Sequence, residues 1–127
     1  AVMEGVVYSL KDCMEIIKEL GVDVGQVRAS GGGGKSPLWR QMQADVFGSE
    51  ICTINASEGP AFGVAILAGV GSGVYKSVPE ACEATIQVKT RQQADQAMTA
   101  KYNEYYKLYK SLYQSMKQDF KTLAKLV

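Results

Sequence analysis

The segment ASGGGGKSP, residues 29–37, decides how this 127-residue chain is interpreted. Its four glycines follow a strand predicted over residues 24–30 and precede a helix predicted over residues 37–47. Because glycine has no Cβ, this backbone can adopt positive φ angles and let a flat group lie directly against it. Ser36 is suited to cap the helix and Pro37 to be its first residue. We therefore expect a close turn whose free amide groups face whatever lies over the glycines, an arrangement that suits a nucleotide.

The segments around the glycines predict an alternation of helices and strands. Apolar residues recur every three or four positions over residues 2–20, which predicts a helix ended by Gly21. β-Branched residues predict a second strand over residues 50–54, after a helix that ends at Gly48. The fold class expected from this order is a helix-rich α/β domain with about two short strands.

An uncharged stretch covers residues 59–75. Ser57 is the predicted N-cap of its helix, and Glu58 is placed to interact with the helix dipole rather than to act in catalysis. The helix body, residues 61–70, is apolar on all sides and rich in small residues, which predicts a buried helix pressed against neighbouring backbone. Since a bilayer-spanning helix needs about 20 apolar residues, no membrane span is predicted.

The last third of the chain is predicted to be mostly helical. SVPE, residues 77–80, is a capping box that begins a short helix to residue 84, and residues 85–89 are expected to form an extended connector. One long helix is predicted at about residues 92–126. Five of the seven tyrosines lie between residues 102 and 113. They could stack with bases, but a packing face with hydroxyls in water is favoured.

The composition excludes several classes of protein. A net charge of +1 argues against a nucleic-acid-binding surface, and the lysines of the last helix are interpreted as a solvated face. The absence of histidine removes Ser/His/Asp catalysis and the commonest metal ligand. Cys13, Cys52 and Cys82 are odd in number and have no CxxC spacing, which favours reduced thiols in a cytoplasmic protein.

Three interpretations of the glycines alone remain open. Residues 34–36, GKS, match the end of the phosphate-binding pattern G-x-x-x-x-G-K-[ST], but Ala29 stands where that pattern needs glycine. Residues 31–36 match the dinucleotide fingerprint G-x-G-x-x-G only as G-x-G-x-x-S, although Glu50 offers an acid in the second strand. The third interpretation is a tight turn that only lets two elements pack.

A longer motif resembles a known family. The segment GGGGKSPLWRQ at residues 31–41, with Ala44-Asp45 after it and Gly48 ending the helix, resembles the C-terminal adenosine-binding motif of the FGGY carbohydrate kinases. EGPAFGVAILAGVGSGVY at residues 58–75 is similar to the family's glycine- and alanine-rich helix, and the opening helix with Glu4-Gly5-Val6 matches the one before the motif. The resemblance covers essentially the whole chain, and within the family it is strongest to kinases of D-xylulose.

Membership implies an actin-like, ribonuclease-H-like ATPase fold in which two domains close on a cleft. Residues 1–127 would be the C-terminal part of the second, ATP-binding domain. In the family, ATP donates its γ-phosphoryl group to a sugar hydroxyl with an aspartate as base, and this chain matches neither the aspartate's motif nor the sugar-binding segments. We therefore expect the chain to supply the adenosine half of the ATP site, to hold Mg²⁺ mainly through residues absent from it, and to be inactive alone.

The resemblance also implies which residues bind the nucleotide. Residues 31–33 match the glycines whose backbone lies against adenine and ribose, Gly34 stands where alanine is common, and Ser36 falls where glycerol kinases have an asparagine. Gln41 and Asp45 are expected to form hydrogen bonds on the helix surface, and Lys35 is the one cation expected near the glycines. No catalytic residue and no metal ligand are predicted, and the expected ATP-binding residues are Gly31, Gly32, Gly33, Gly34 and Ser36.

Other functions are consistent with the same residues. One is an FGGY kinase of gluconate or glycerol, a second is a dinucleotide-binding module, and a third is a non-catalytic helical interaction module based on the tyrosine-rich helix. Two short strands would leave open sheet edges. The sheet is therefore expected to be completed by upstream strands, by a second copy of the chain, or not at all, so self-association of this chain is one of the expectations.

Overall fold

A computed structural model describes residues 1–56 and 59–126 of the chain. Helices and strands alternate along these residues, as the sequence predicts for an α/β domain. The elements are α1 (Val2–Glu19), β1 (Val27–Arg28), α2 (Gly31–Lys35), α3 (Pro37–Phe47), β2 (Ile51–Ile54), α4 (Gly59–Gly71), α5 (Val78–Thr85), β3 (Val88–Gln92) and α6 (Gln96–Leu123).

The strands form one mixed sheet with β2 in the centre. β1 runs parallel to β2, with Val27 opposite Ile51, and β3 runs antiparallel to β2, with Thr90 opposite Thr53. Ile51 and Cys52 of the central strand are fully buried. Because β1 and β2 are parallel, their C-terminal ends lie at the same end of the sheet. The glycines follow β1 directly at that end.

The third strand is a difference from the sequence-based prediction. Residues 85–89 were expected to be a connector and the long helix to begin at about residue 92, whereas β3 occupies Val88–Gln92 and α6 begins at Gln96. Four of the five β3 residues are exposed, so the strand has no alternation of buried apolar residues that would reveal it. Asp95 caps α6 by accepting hydrogen bonds from the N–H groups of Ala97 and Met98.

The main apolar core lies between α1, α3 and α6. We call it the tyrosine core, and it consists of Val7, Tyr8, Val46, Tyr102 and Tyr106. The ring of Tyr8 lies 6.3 Å from that of Tyr102 and 5.8 Å from that of Tyr106. These separations are typical of aromatic packing, so the interpretation of the first tyrosines of α6 as a packing face is confirmed. The second half of α6, from residue 111, is exposed.

A buried lysine joins the three helices of the tyrosine core. The Lys11 ammonium donates to the Val46 carbonyl oxygen at 2.8 Å and to Asn103 Oδ1 at 2.6 Å. It also lies 4.9 Å from the centre of the Tyr106 ring, whose hydroxyl donates to Asp12 Oδ1 at 2.5 Å. A cation near the last carbonyls of α3 interacts favourably with the helix dipole. Burial lowers the pKa of Lys11.

The apolar helix α4 is not buried in this structure, contrary to the prediction. Ile66 is its one buried residue, while Val64 is 66% exposed and Leu67 is 61% exposed. The element that packs against α4 within the described residues is the short helix α5, which covers only one side. The predicted cap at Ser57 and the predicted role of Glu58 lie outside the described residues. None of the helices described here is both long and apolar enough to span a membrane.

Candidate functional site

The four glycines form a short helix rather than an open turn. Ser30 is extended, Gly31 has a φ of +68°, and α2 then continues to Lys35. Glycine is a poor helix former, so sequence alone does not predict this helix. Two contacts hold it in place: Gly34 packs against the carbonyl group of Ala29, and the Arg40 guanidinium donates to the Gly34 carbonyl oxygen at 2.7 Å.

The outer side of this glycine segment (Gly31–Gly34) is bare backbone open to solvent. Gly31, Gly32 and Gly33 are exposed, and a Cβ added at Gly31 or Gly32 would meet no atom within 4 Å. A Cβ at Gly33 would lie 3.0 Å from the indole Nε1 of Trp39, and a Cβ at Gly34 would lie 3.0 Å from the Ala29 carbonyl. One side of the segment is therefore free for a flat ligand while the other side is packed.

The residue after the glycine segment has the capping role that the sequence predicts. The Ser36 hydroxyl accepts a hydrogen bond from the Trp39 N–H at 3.3 Å, and Pro37 is the first residue of α3. Gly48 ends the helix with a φ of +65°. The Ser36 hydroxyl therefore caps α3, and Ser36 does not line the cavity beside the glycine segment.

A cavity of about 340 Å³ lies beside the glycine segment. It is situated where β1 and β2 end, the position at which open α/β sheets commonly bind ligands. Gly31 and Gly34 line it, but Gly32 and Gly33 do not. The residues that line it are 29–31, 34–35, 40, 53–56 and 89–90.

The described lining of this cavity is positively charged. Lys35, Arg40 and Lys89 line it, and none of the described lining residues is acidic. The Arg40 Nε atom is buried and has no hydrogen-bond partner in residues 1–56 and 59–126. The expectation that Lys35 is the one cation near the glycines is therefore wrong. Arg40 lies within the recognised motif, whereas Lys89 comes from the strand β3 that the sequence does not reveal.

Gln41 and Asp45 have a structural role inside the domain. Asp45 is buried, and its Oδ1 atom accepts hydrogen bonds from Gln41 Nε2 at 2.7 Å and from the Asp95 N–H at 2.8 Å. Gln41 Nε2 also donates to the Gln93 carbonyl oxygen at 3.1 Å. These contacts join α3 to the connection between β3 and α6. The expectation of hydrogen bonding is confirmed, but its placement on the helix surface is wrong.

Glu50, the acid considered for a dinucleotide site, does not line the cavity. Its carboxylate accepts from Arg91 at 2.5 Å and from the thiol of Cys52 at 3.1 Å. The hydrogen bond from Cys52, together with Arg91, lowers the pKa of Glu50, and burial raises the pKa of Cys52. This pairing leaves no acid placed for a ribose at the glycine segment within the described residues. Among the same residues, no group of three or more acidic, cysteine or histidine side chains could hold a metal ion.

Comparisons with known proteins agree with this architecture. The family model described as the C-terminal domain of the FGGY family of carbohydrate kinases matches residues 1–72. A xylulose kinase of Staphylococcus epidermidis is 38% identical over 106 residues, covering 84% of this chain and 21% of the relative. The fold is thus part of an actin-like, ribonuclease-H-like domain. The chain belongs to the FGGY family of carbohydrate kinases.

Solved structures of carbohydrate kinases contain a region with the same fold as this chain. The crystal structure of a xylulose kinase from Lactobacillus acidophilus superposes with a TM-score of 0.88 at 21% identity, covering 97% of this chain and 25% of that protein. A gluconate kinase from the same organism superposes with a TM-score of 0.81 at 24% identity, covering 91% of this chain and 23% of that one. The chain therefore spans about a fifth of the length of the curated relative and about a quarter of these structures.

Proposed function

We propose that this chain is the adenosine-binding part of a carbohydrate kinase that transfers the γ-phosphoryl group of ATP to D-xylulose. The observation that carries the proposal is the bare outer backbone of Gly31–Gly33 beside a positively charged cavity at the ends of two parallel strands. Such a surface accepts a flat purine without a steric barrier. The cavity next to it offers positive charge to the anionic part of the same ligand.

The proposed ATP-binding residues divide into two groups. Gly31, Gly32 and Gly33 expose the backbone on which the base and ribose lie. Gly34 keeps that backbone in place because its lack of a Cβ permits close packing on Ala29. Ser36 contributes by fixing the start of α3 through its hydrogen bond to the Trp39 N–H.

Phosphoryl transfer itself would need residues from outside this chain. Catalysis of this reaction is mostly positioning and charge neutralisation, and the described lining of the cavity offers cations but no carboxylate to act as a base. Mg²⁺ usually keeps several waters and binds through one or two carboxylates and substrate phosphates. The described lining of the cavity supplies no carboxylate for such a site, so Mg²⁺ is proposed to enter with the nucleotide and to be held mainly by other parts of the protein.

D-Xylulose is the sugar favoured by sequence. The 38% identity to a xylulose kinase supports this choice, while the similar fold of a gluconate kinase keeps gluconate as the alternative. We place the protein in the cytoplasm, which its scattered free cysteines support. Because the described lining of the cavity offers no candidate base, we predict that the 127-residue chain alone does not phosphorylate D-xylulose. Detectable ATP-dependent formation of xylulose phosphate by the purified chain would contradict this.

Calorimetry tests the nucleotide site directly. The chain should bind ADP in preference to NAD, and Gly32→Val should abolish ADP binding, because a branched side chain would stand on the exposed backbone. Gly63→Val in α4 is the matched control, since a Cβ there also meets open space and Gly63 does not line the cavity. Stronger binding of NAD than of ADP would favour a dinucleotide module instead.

The interaction-module alternative has a separate outcome. Tyr102 and Tyr106 of α6 are packed in the tyrosine core, but Leu112, Met116 and Phe120 on the second half of α6 are exposed. An indifference to both nucleotides, combined with self-association detected by light scattering and lost on substitution of these residues, would support that alternative.

A further inference from the structure

Three positively charged side chains converge on the cavity from different elements. Lys35 ends α2, Arg40 lies in the first turn of α3, and Lys89 lies on β3. Two of these residues belong to the family's recognised motif, but Lys89 lies beyond residues 1–72, the part of the chain that the family model matches. The charge at this cavity is therefore assembled by the tertiary structure and not by the glycine motif alone.

The described lining leaves this positive charge uncompensated. It contains no acidic residue, and it adds the hydroxyl group of Ser30, which can donate a hydrogen bond. Thr53 and Asn55 also line the cavity, but their side chains are paired with Thr90, Thr85 and Gln87. The Arg40 guanidinium is fixed by its hydrogen bond to the Gly34 carbonyl oxygen, yet its buried Nε atom has no partner among the described residues. A buried donor without a partner costs free energy, so a ligand that supplies an acceptor would be bound favourably.

We propose that Lys35, Arg40 and Lys89 form a binding site for a phosphoryl group. Phosphate oxygens are the acceptors that arginine and lysine bind most effectively, since charge-assisted hydrogen bonds are stronger than neutral ones. This inference rests on the proposed function and extends it: the base lies on the outer glycine backbone, and a phosphate of the same nucleotide enters the cavity. Lys89 supplies affinity for the phosphate without contacting the base.

Calorimetry with adenosine, ADP and inorganic pyrophosphate, in buffer with EDTA, tests the site. At low salt, ADP should bind about tenfold more tightly than adenosine. Lys89→Gln should weaken ADP binding about fivefold and leave adenosine binding unchanged. Lys101→Gln on α6 removes the same charge from an exposed residue outside the cavity and should have no effect.

The outcomes separate this inference from the proposed function. Equal affinities for adenosine and ADP, or equal effects of Lys89→Gln on both, would overturn the phosphoryl site and leave the nucleotide proposal standing. Pyrophosphate binding that depends on Lys89, without any adenosine binding, would support the phosphoryl site and overturn the nucleotide proposal. A chain that binds none of the three ligands would overturn both. Raising the salt concentration should weaken ADP binding and not adenosine binding, because exposed charges are screened.

Discussion

The tyrosine core and the glycine segment are neighbours on α3, but they differ in almost every physical property. Val46 of α3 is fully buried in the core, where aromatic rings from α1 and α6 surround it. The start of the same helix follows Gly31–Gly34, whose outer backbone touches nothing. Stability and ligand binding therefore depend on different residues of this chain. Substitutions in the core should change the free energy of unfolding, and substitutions on the glycines should change affinity.

The largest expected effect is in the tyrosine core. Tyr8 is only 6% exposed and packs against three other tyrosine rings. Tyr8→Ala should lower the free energy of unfolding by about 3–5 kcal/mol, as for other large aromatic residues in cores. Urea unfolding followed by circular dichroism measures this change. Tyr113 is 54% exposed in α6, so Tyr113→Ala should change the free energy of unfolding by only about 0.5 kcal/mol. Similar losses for both variants would contradict the claim that the tyrosine core determines stability.

Alkaline pH should destabilise the same core. Burial raises the pKa of Tyr8 from 10.0 to about 12, and burial with the Asp12 hydrogen bond raises the pKa of Tyr106 further. The folded state therefore binds more protons than the unfolded state above pH 10. Stability from these groups is complete below pH 10 and is lost toward pH 12, by up to about 1.4 kcal/mol per pH unit for each tyrosine.

This loss can be assigned to a residue. Urea unfolding at pH 9, 10 and 11 should give a shallower decline in the free energy of unfolding for Tyr8→Phe than for the unaltered chain. The lowered pKa of Lys11 acts in the opposite sense, because its deprotonation in the folded state adds stability as the pH approaches 10.5. Identical slopes for Tyr8→Phe and the unaltered chain would contradict the expected role of Tyr8.

Ser36, the N-cap of α3 between the glycine segment and the tyrosine core, should have an intermediate effect on the free energy of unfolding. Ser36→Ala removes the acceptor for the Trp39 N–H and should cost about 1 kcal/mol, whereas Ser36→Gly should cost only a few tenths. Thermal unfolding of the two variants distinguishes these values. If Ser36→Ala weakened ADP binding without any loss of stability, Ser36 would be a ligand contact and not a cap.

The smallest effect on stability should also have the opposite sign. Gly32 lies in a helix, and a Cβ there meets open space, so Gly32→Ala should raise the free energy of unfolding by about 0.5–1 kcal/mol. The same methyl group should weaken ADP binding, because it stands between the backbone and the base. A variant that gained stability and kept full ADP affinity would show that the base does not lie on Gly32.

Much of the fold could be predicted from the sequence because local signals were strong. The spacing of apolar residues in α1, the Ser36–Pro37 start of α3 and the Gly48 stop each reflect a physical requirement that a single chain displays. The strand β3 could not be predicted in this way, since its exposed polar residues are stabilised by pairing with β2. The apolar composition of α4 predicted a buried helix, but α4 is exposed because the element that mainly packs against it among the described residues is the short helix α5.

The candidate site was predictable only in part for the same reason. The glycines and their resemblance to a nucleotide-binding motif are local in sequence, and the structure leaves their outer backbone open. Lys89 reaches the cavity only because β3 pairs with β2, and Arg40 is directed to it by its contact with the Gly34 carbonyl oxygen. The sequence therefore predicted the open glycine backbone and Lys35, but not the presence of Arg40 and Lys89 at the cavity.

The most direct test of the account is an NMR titration of the ¹⁵N-labelled chain with ADP. The largest changes in amide chemical shift should occur at residues 29–35, with smaller changes at Thr53 and Thr90 and none at Val7 or Tyr102 in the tyrosine core. Shifts confined to α6, or no shifts at a saturating concentration of ADP, would contradict the claim that the glycine segment binds an adenine nucleotide.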